Sequence, residues 1–142
     1  MRTALEWLRT PYVSGARVKG HGCDCLTLLA EVFAEAKIIE PVPIQRYPHD
    51  WHLHRSEELY LQGLLKYAHE VEVPKPGDIV LWKFGRCFSH GALVVSWPTI
   101  VHAYIGRSVT LESGEADWLH WVGENTKERG KRRERRFFSY WS

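Results

Sequence analysis

The sequence predicts an α+β domain, with helices in its first half packed on an antiparallel sheet formed by its second. Two observations carry this. Before Pro74 the apolar residues recur at helical spacing, and after it they fall in short runs rich in β-branched and aromatic residues. A chain of 142 residues, 44% hydrophobic and 25% charged, matches one domain spanning 1–142 that holds a core without disulfides or metals.

Leu5, Trp7 and Leu8 mark a short first helix that stops before Pro11, and Gly15, Gly20 and Gly22 mark the loop after it. Asp24 is a good N-cap for the second helix, along which Leu26, Leu28, Leu29, Val32, Phe33 and Ala36 recur. Pro41, Pro43 and Pro48 make an irregular connection that carries Tyr47, His49, Trp51, His52 and His54. Ser56-Glu57-Glu58 opens a third helix through Leu59, Leu61, Leu64, Leu65 and Ala68. Lys75-Pro76-Gly77-Asp78 is a turn into a strand over 79–82, and further strands are expected over 90–95, 100–104, 108–111 and 136–140. Trp97-Pro98 lies in the turn between two of them. The expected arrangement is a meander, with no strand order encoded.

Charge and cysteine usage narrow the function classes. A net charge of +2 does not by itself argue for nucleic acid. The run from Lys127 to Arg136 holds seven basic residues against two acidic ones and reads as a solvated face, with contact to phosphates or teichoic acids as the functional alternative. No apolar stretch approaches the ~20 residues of a membrane span. Glu6 stands where a signal peptide would run apolar, so synthesis in the cytoplasm without a signal peptide is expected. Three cysteines, Cys23, Cys25 and Cys87, argue against a disulfide framework and for a metal site or a reactive thiol.

Cys25 is the most informative residue. Capped by Asp24, it occupies the first turn of a helix, where backbone N–H groups and the macrodipole stabilise a thiolate. Its offsets of three, four, seven and eight from Leu28, Leu29, Val32 and Phe33 turn the sulfur into the fold. A nucleophilic thiol needs a base, and His90 heads an apolar strand while His102 lies on the next one. Pairing Ser96 with Ile100 across a three-residue loop sets His102 opposite Val94 on the face of His90. A slip of one residue sends it to the other face, so an odd-numbered loop is expected.

These residues resemble a known family. Gly22-Cys23-Asp24-Cys25, Ser89-His90-Gly91 and Val101-His102-Ala103, with Thr10-Pro11-Tyr12 upstream and Pro76-Gly77-Asp78-Ile79-Val80 between, are similar to the motifs of NlpC-type cell-wall cysteine peptidases of the papain-like superfamily. The resemblance runs from about Ala4 to Leu111. It implies cleavage of amide bonds in peptidoglycan stem peptides without a cofactor or metal, with Cys25 as nucleophile, His90 as base and His102 orienting His90. Tyr12, Asp24 and Ser89 are the implied oxyanion or substrate-binding residues, the donors being the Cys25 N–H and the Tyr12 hydroxyl. Asp24 either receives a substrate ammonium group or only caps the helix. Leu26-Thr27 replaces the Ser-Gly that commonly follows the cysteine, and Ser14-Gly15 replaces a glycine pair. A bare catalytic domain of this kind is most like the branch carried in phage tails and gene transfer agents, which makes phage-like tail proteins expected partners.

Two other readings stay open. Cys23, Cys25, Cys87 and His90 supply three thiolates and an imidazole, a set that would make a zinc-stabilised binding module. An inactive tail component with the same fold is the other.

Overall fold

The computed structural model describes residues 2–13, 16–40, 62–84, 87–104, 106–121 and 130–141. Its helical side begins with α1 (Arg2–Glu6), followed by a two-stranded ribbon of β1 (Arg17–Val18) and β2 (Gly22–Cys23) that leads into α2 (Cys25–Glu35). Ion pairs lace these pieces together: Arg17 to Glu31, and Lys19 to both Glu6 and Glu35. The exposed Lys19 pairs contribute little, so burial holds the side together.

Cys25, Leu26, Thr27, Leu28, Leu29 and Ala30 are all buried. The helical offsets predict one inward stripe, yet the first turns of α2 are covered on every side, as befits a central helix. Ala4 and Trp7, the ribbon and the sheet provide the cover.

The expected third helix falls largely outside the described residues, as does the connection from Pro41 to His54. Residues 62–64 are helical, but Leu65 to Tyr67 form a turn and β3 (His69–Val71) follows. The His69-Glu70-Val71-Glu72-Val73 alternation has a period of two, which ends helical spacing there. The Tyr140 hydroxyl donates to the Leu64 carbonyl and ties this segment to the end of the sheet.

The antiparallel sheet continues with β4 (Ile79–Phe84), β5 (Cys87–Ser96), β6 (Thr99–His102) and β7 (Thr110–Ser113), followed by the short helix α3 (Asp117–His120) and β8 (Arg135–Ser139). Its order, β3-β8-β4-β5-β6-β7, corrects the meander: β4 to β7 follow in sequence, but β8 returns to lie between β3 and β4. Both faces of the central strands are buried. Ile79, Leu81, Leu93 and Val101 pack with α2, whereas Val80, Trp82, Ala92, Val94 and Ile100 pack with Leu119 of α3. The segment before β7 bonds the N-terminal loop instead of β6: Arg9 N–H donates to the Val109 carbonyl at 2.9 Å and Val109 N–H to the Thr10 carbonyl at 2.8 Å. That pairing is why β7 begins two residues later than the sequence suggests.

The β5–β6 hairpin differs from the expected loop in a way that matters for the site. Ser96 pairs with Thr99, so the turn has two residues, an even number. Val94 nevertheless pairs with Ile100, because Val95 is an extra, bulged residue on β5. The bulge restores the parity that an odd loop would have supplied. It also carries the register two residues further, so His102 faces Ala92 instead of Val94.

Among the described residues no helix is long and apolar enough to cross a membrane.

Candidate active site

The residues singled out by sequence fall in two groups. The first lies where β2 runs into α2. Tyr12 is bridged to Cys23, whose N–H donates to the Pro11 carbonyl at 3.1 Å and whose carbonyl accepts from Val13 N–H at 2.9 Å. Asp24 caps α2: its Oδ1 accepts from Leu26 N–H at 3.1 Å and Thr27 N–H at 2.9 Å. The Thr27 hydroxyl accepts in return from Asp24 N–H at 2.8 Å, which completes a capping box. Thr27, a departure from the family pattern by sequence, therefore has a structural task. Cys25 follows in the first helical turn, 8% exposed.

Asp24→Ala is expected to cost about 2 kcal/mol, since both capped amides lie in the core. Asp24→Asn should keep the cap and melt near wild type. If the carboxylate also receives a substrate ammonium, Asp24→Asn will raise KM with little change in melting, and thermal melts beside steady-state kinetics separate the two roles.

The second group is on the sheet. His90 Nε2 lies 2.9 Å from His102 Nδ1, and His102 Nε2 lies 2.8 Å from Glu112 Oε2. Glu112 Oε1 accepts from Trp118 Nε1 at 2.8 Å, with Arg107 Nη1 at 3.6 Å. Trp118 stacks on His102 with ring centroids 5.6 Å apart, and Tyr104 meets His90 edge-on at 5.3 Å. His90 pairs with Trp82 and shares the face of Ala92 and Val94.

The two groups are joined by packing of α2 on β5. A Cβ added to Gly91 would fall 2.9 Å from Leu29 Cδ1 and 3.0 Å from Leu81 Cδ2, so the missing side chain lets α2 close on the strand next to His90. Leu29 is one turn beyond Cys25. Gly91 faces α2, and alternation turns the His90 ring toward the other face, beside Trp82.

No protein-family model matches the sequence, and no curated protein does. Solved structures do match. The NlpC/p60 domain of peptidoglycan hydrolase SagA superposes with a TM-score of 0.55 at 20% identity, over 80% of this chain and 86% of that one. The chain has the NlpC/P60 fold. An NLP/P60 family protein similar to lipoprotein, from Staphylococcus aureus subsp. aureus Mu50, gives 0.60 at 17% identity over 84% of this chain. An NlpC/P60 family protein from Bacillus cereus ATCC 10987 gives 0.58 at 18% over 83%. The chain spans about a third of the length of the latter two, 36% and 35%.

Within this NlpC/P60 fold the electrostatics separate the thiols and the imidazoles. Burial, with the neighbouring Asp24 charge adding to it, pushes the Cys23 thiol up to about 12, so Cys23 stays protonated at neutral pH. Burial holds His90 well below the usual histidine range, helped by His102 and by the Arg133 guanidinium. His102 is also lowered by burial, against the opposing pull of Glu112. Both imidazoles are thus neutral at rest.

The backbone of Ser89 lies in β5, and the side chains of Ser89 and Cys87 fall outside the described residues. Among those described, no group of three His, Cys, Asp or Glu side chains is placed to hold a metal ion. Arginines of the basic run that are described make contacts within the chain. Arg135 pairs with Glu115 at 2.8 Å and lies over Trp97, and Arg133 Nη1 donates to the Lys83 carbonyl. Glu112, Trp118 and Tyr104 are site residues that the sequence reading missed. The signal for Tyr104 was its place two residues after His102 on the same strand face.

Proposed function

We propose that this domain is a cysteine endopeptidase that hydrolyses amide bonds in peptidoglycan stem peptides. The observation that carries the proposal is the buried His90–His102 hydrogen bond, on a sheet against which α2 packs with Cys25 in its capped first turn. Likeness in fold to a peptidoglycan hydrolase domain supports the substrate class.

In the proposed reaction His90 takes the thiol proton and Cys25 Sγ attacks the amide carbonyl. The Cys25 N–H and the Tyr12 hydroxyl hold the oxyanion, with Asp24 and Ser89 as the candidate substrate contacts. Collapse breaks the C–N bond, with the proton on His90 passing to the leaving amine. Water, deprotonated by His90, then hydrolyses the thioester and frees Cys25. His102 keeps the His90 ring in place throughout. The reaction requires Cys25 Sγ and His90 to come within hydrogen-bond reach when substrate is bound.

The test is digestion of purified wall fragments by the purified protein, read by mass spectrometry. New amino termini within stem peptides and unchanged glycan are expected, with Cys25 the thiol first alkylated by iodoacetamide at pH 6. Intact fragments, together with stoichiometric zinc and protection of Cys23, Cys25 and Cys87, would replace this proposal with the zinc module. Carriage in a phage-like tail is a separate proposal, tested by finding the protein in purified particles.

A further inference from the structure

We propose that Glu112 is a positioning residue that decides which nitrogen of His90 is the base. The inference rests on the proposed role of His90, and it follows from donor and acceptor arithmetic along a three-member chain.

A carboxylate only accepts hydrogen bonds. Glu112 Oε2 lies 2.8 Å from His102 Nε2, so that nitrogen carries the His102 proton. In a neutral imidazole the other nitrogen, Nδ1, then has a lone pair. His102 Nδ1 lies 2.9 Å from His90 Nε2, so His90 carries its proton on Nε2 and donates. The lone pair of His90 is left on Nδ1, the nitrogen that receives the thiol proton. Burial keeps both rings neutral, which is the condition this chain needs.

The second oxygen makes Glu112 hard to replace. Oε1 accepts from Trp118 Nε1 at 2.8 Å, and the same indole stacks on His102. Both neighbours are therefore N–H donors, and only a group with two acceptor oxygens satisfies both. Glutamine offers one acceptor and one donor. With its oxygen toward Trp118, its NH₂ faces His102 Nε2, which must then accept. The His102 proton moves to Nδ1 and is donated to His90 Nε2, and the His90 proton moves to Nδ1, where it blocks the base. With the amide reversed, its oxygen still accepts from His102 Nε2–H, but NH₂ meets the Trp118 N–H and that bond is lost, so the first orientation, which satisfies both neighbours, is favoured.

The test combines tautomer-resolved ¹⁵N NMR of the histidines with kinetics on wild type, Glu112→Gln and Glu112→Asp. In wild type both His90 and His102 should carry their protons on Nε2. Glu112→Gln should shift both toward Nδ1–H and lower kcat by on the order of 10²-fold or more, with KM little changed. Glu112→Asp, which keeps two acceptor oxygens, should retain the Nε2–H forms. Nδ1–H tautomers in wild type overturn the inference, as does a folded Glu112→Gln protein whose tautomers match wild type. If Glu112→Gln fails to fold, the wild-type and Glu112→Asp tautomers decide. The NMR measurement needs no substrate, so an inactive wild type with both protons on Nε2 counts against the peptidase proposal and for the role of Glu112.

Discussion

Cys25→Ala should abolish stem-peptide hydrolysis, lowering turnover by on the order of 10⁴-fold or more, while the protein melts close to wild type. The loss follows because no other described thiol can substitute. Cys23 is fully buried on β2, and its proton is held up to about 12. Cys23→Ala should therefore retain turnover at a modest cost in stability from the lost sulfur. Mass-spectrometric turnover assays and thermal melts on both variants check this. Substantial turnover in folded Cys25→Ala protein would remove the thiol from the mechanism.

Folding stability should drop as pH is lowered from 7 toward 5. His90 and His102 are both held below their unfolded value of 6.5, mainly by burial. Just below pH 6.5 the unfolded chain therefore binds more protons than the native state, and stability rises with pH in that window. The stabilisation is complete above about pH 7 and is lost as pH falls through 6.5 toward the folded-state values. Each imidazole contributes up to about 1.4 kcal/mol per pH unit while only its unfolded form is protonated. Melting temperatures at pH 5, 6, 7 and 8 and constant ionic strength measure the slope, and His102→Gln should reduce it. A flat profile in wild type would mean that the pair is not neutral and buried in solution.

The parts of the site that were legible in the sequence are those set by local rules. An N-cap before an apolar run places Cys25, and two-residue alternation places His90 and His102 on strands. The parts that were not legible depend on pairings between distant segments. Glu112 is the clearest case. On β7 the apolar Leu111 is turned to solvent, 46% exposed, and Glu112 is turned toward His102, so alternation read for hydrophobicity assigns the faces backwards. The strand also starts late because residues 107–109 are taken by the N-terminal loop. α3 has four residues and no side-chain cap, too short for any helical period to register, yet it delivers Trp118 to the site. The position of β8 between β3 and β4 likewise comes from pairing across more than fifty residues.

The bulged Val95 governs how the chain length near the site can vary. With a two-residue turn, the Ser96–Thr99 pairing alone would put His102 on the α2 face of the sheet, and the single extra residue returns it to the face of His90. Deleting one residue from this hairpin would disconnect His90 from His102 without altering any side chain of the site. Removing or adding two would leave the histidines on a common face. Length changes here are therefore constrained by their oddness more than by their size, so a turn grafted from another hairpin must bring its own bulge or match this one in parity.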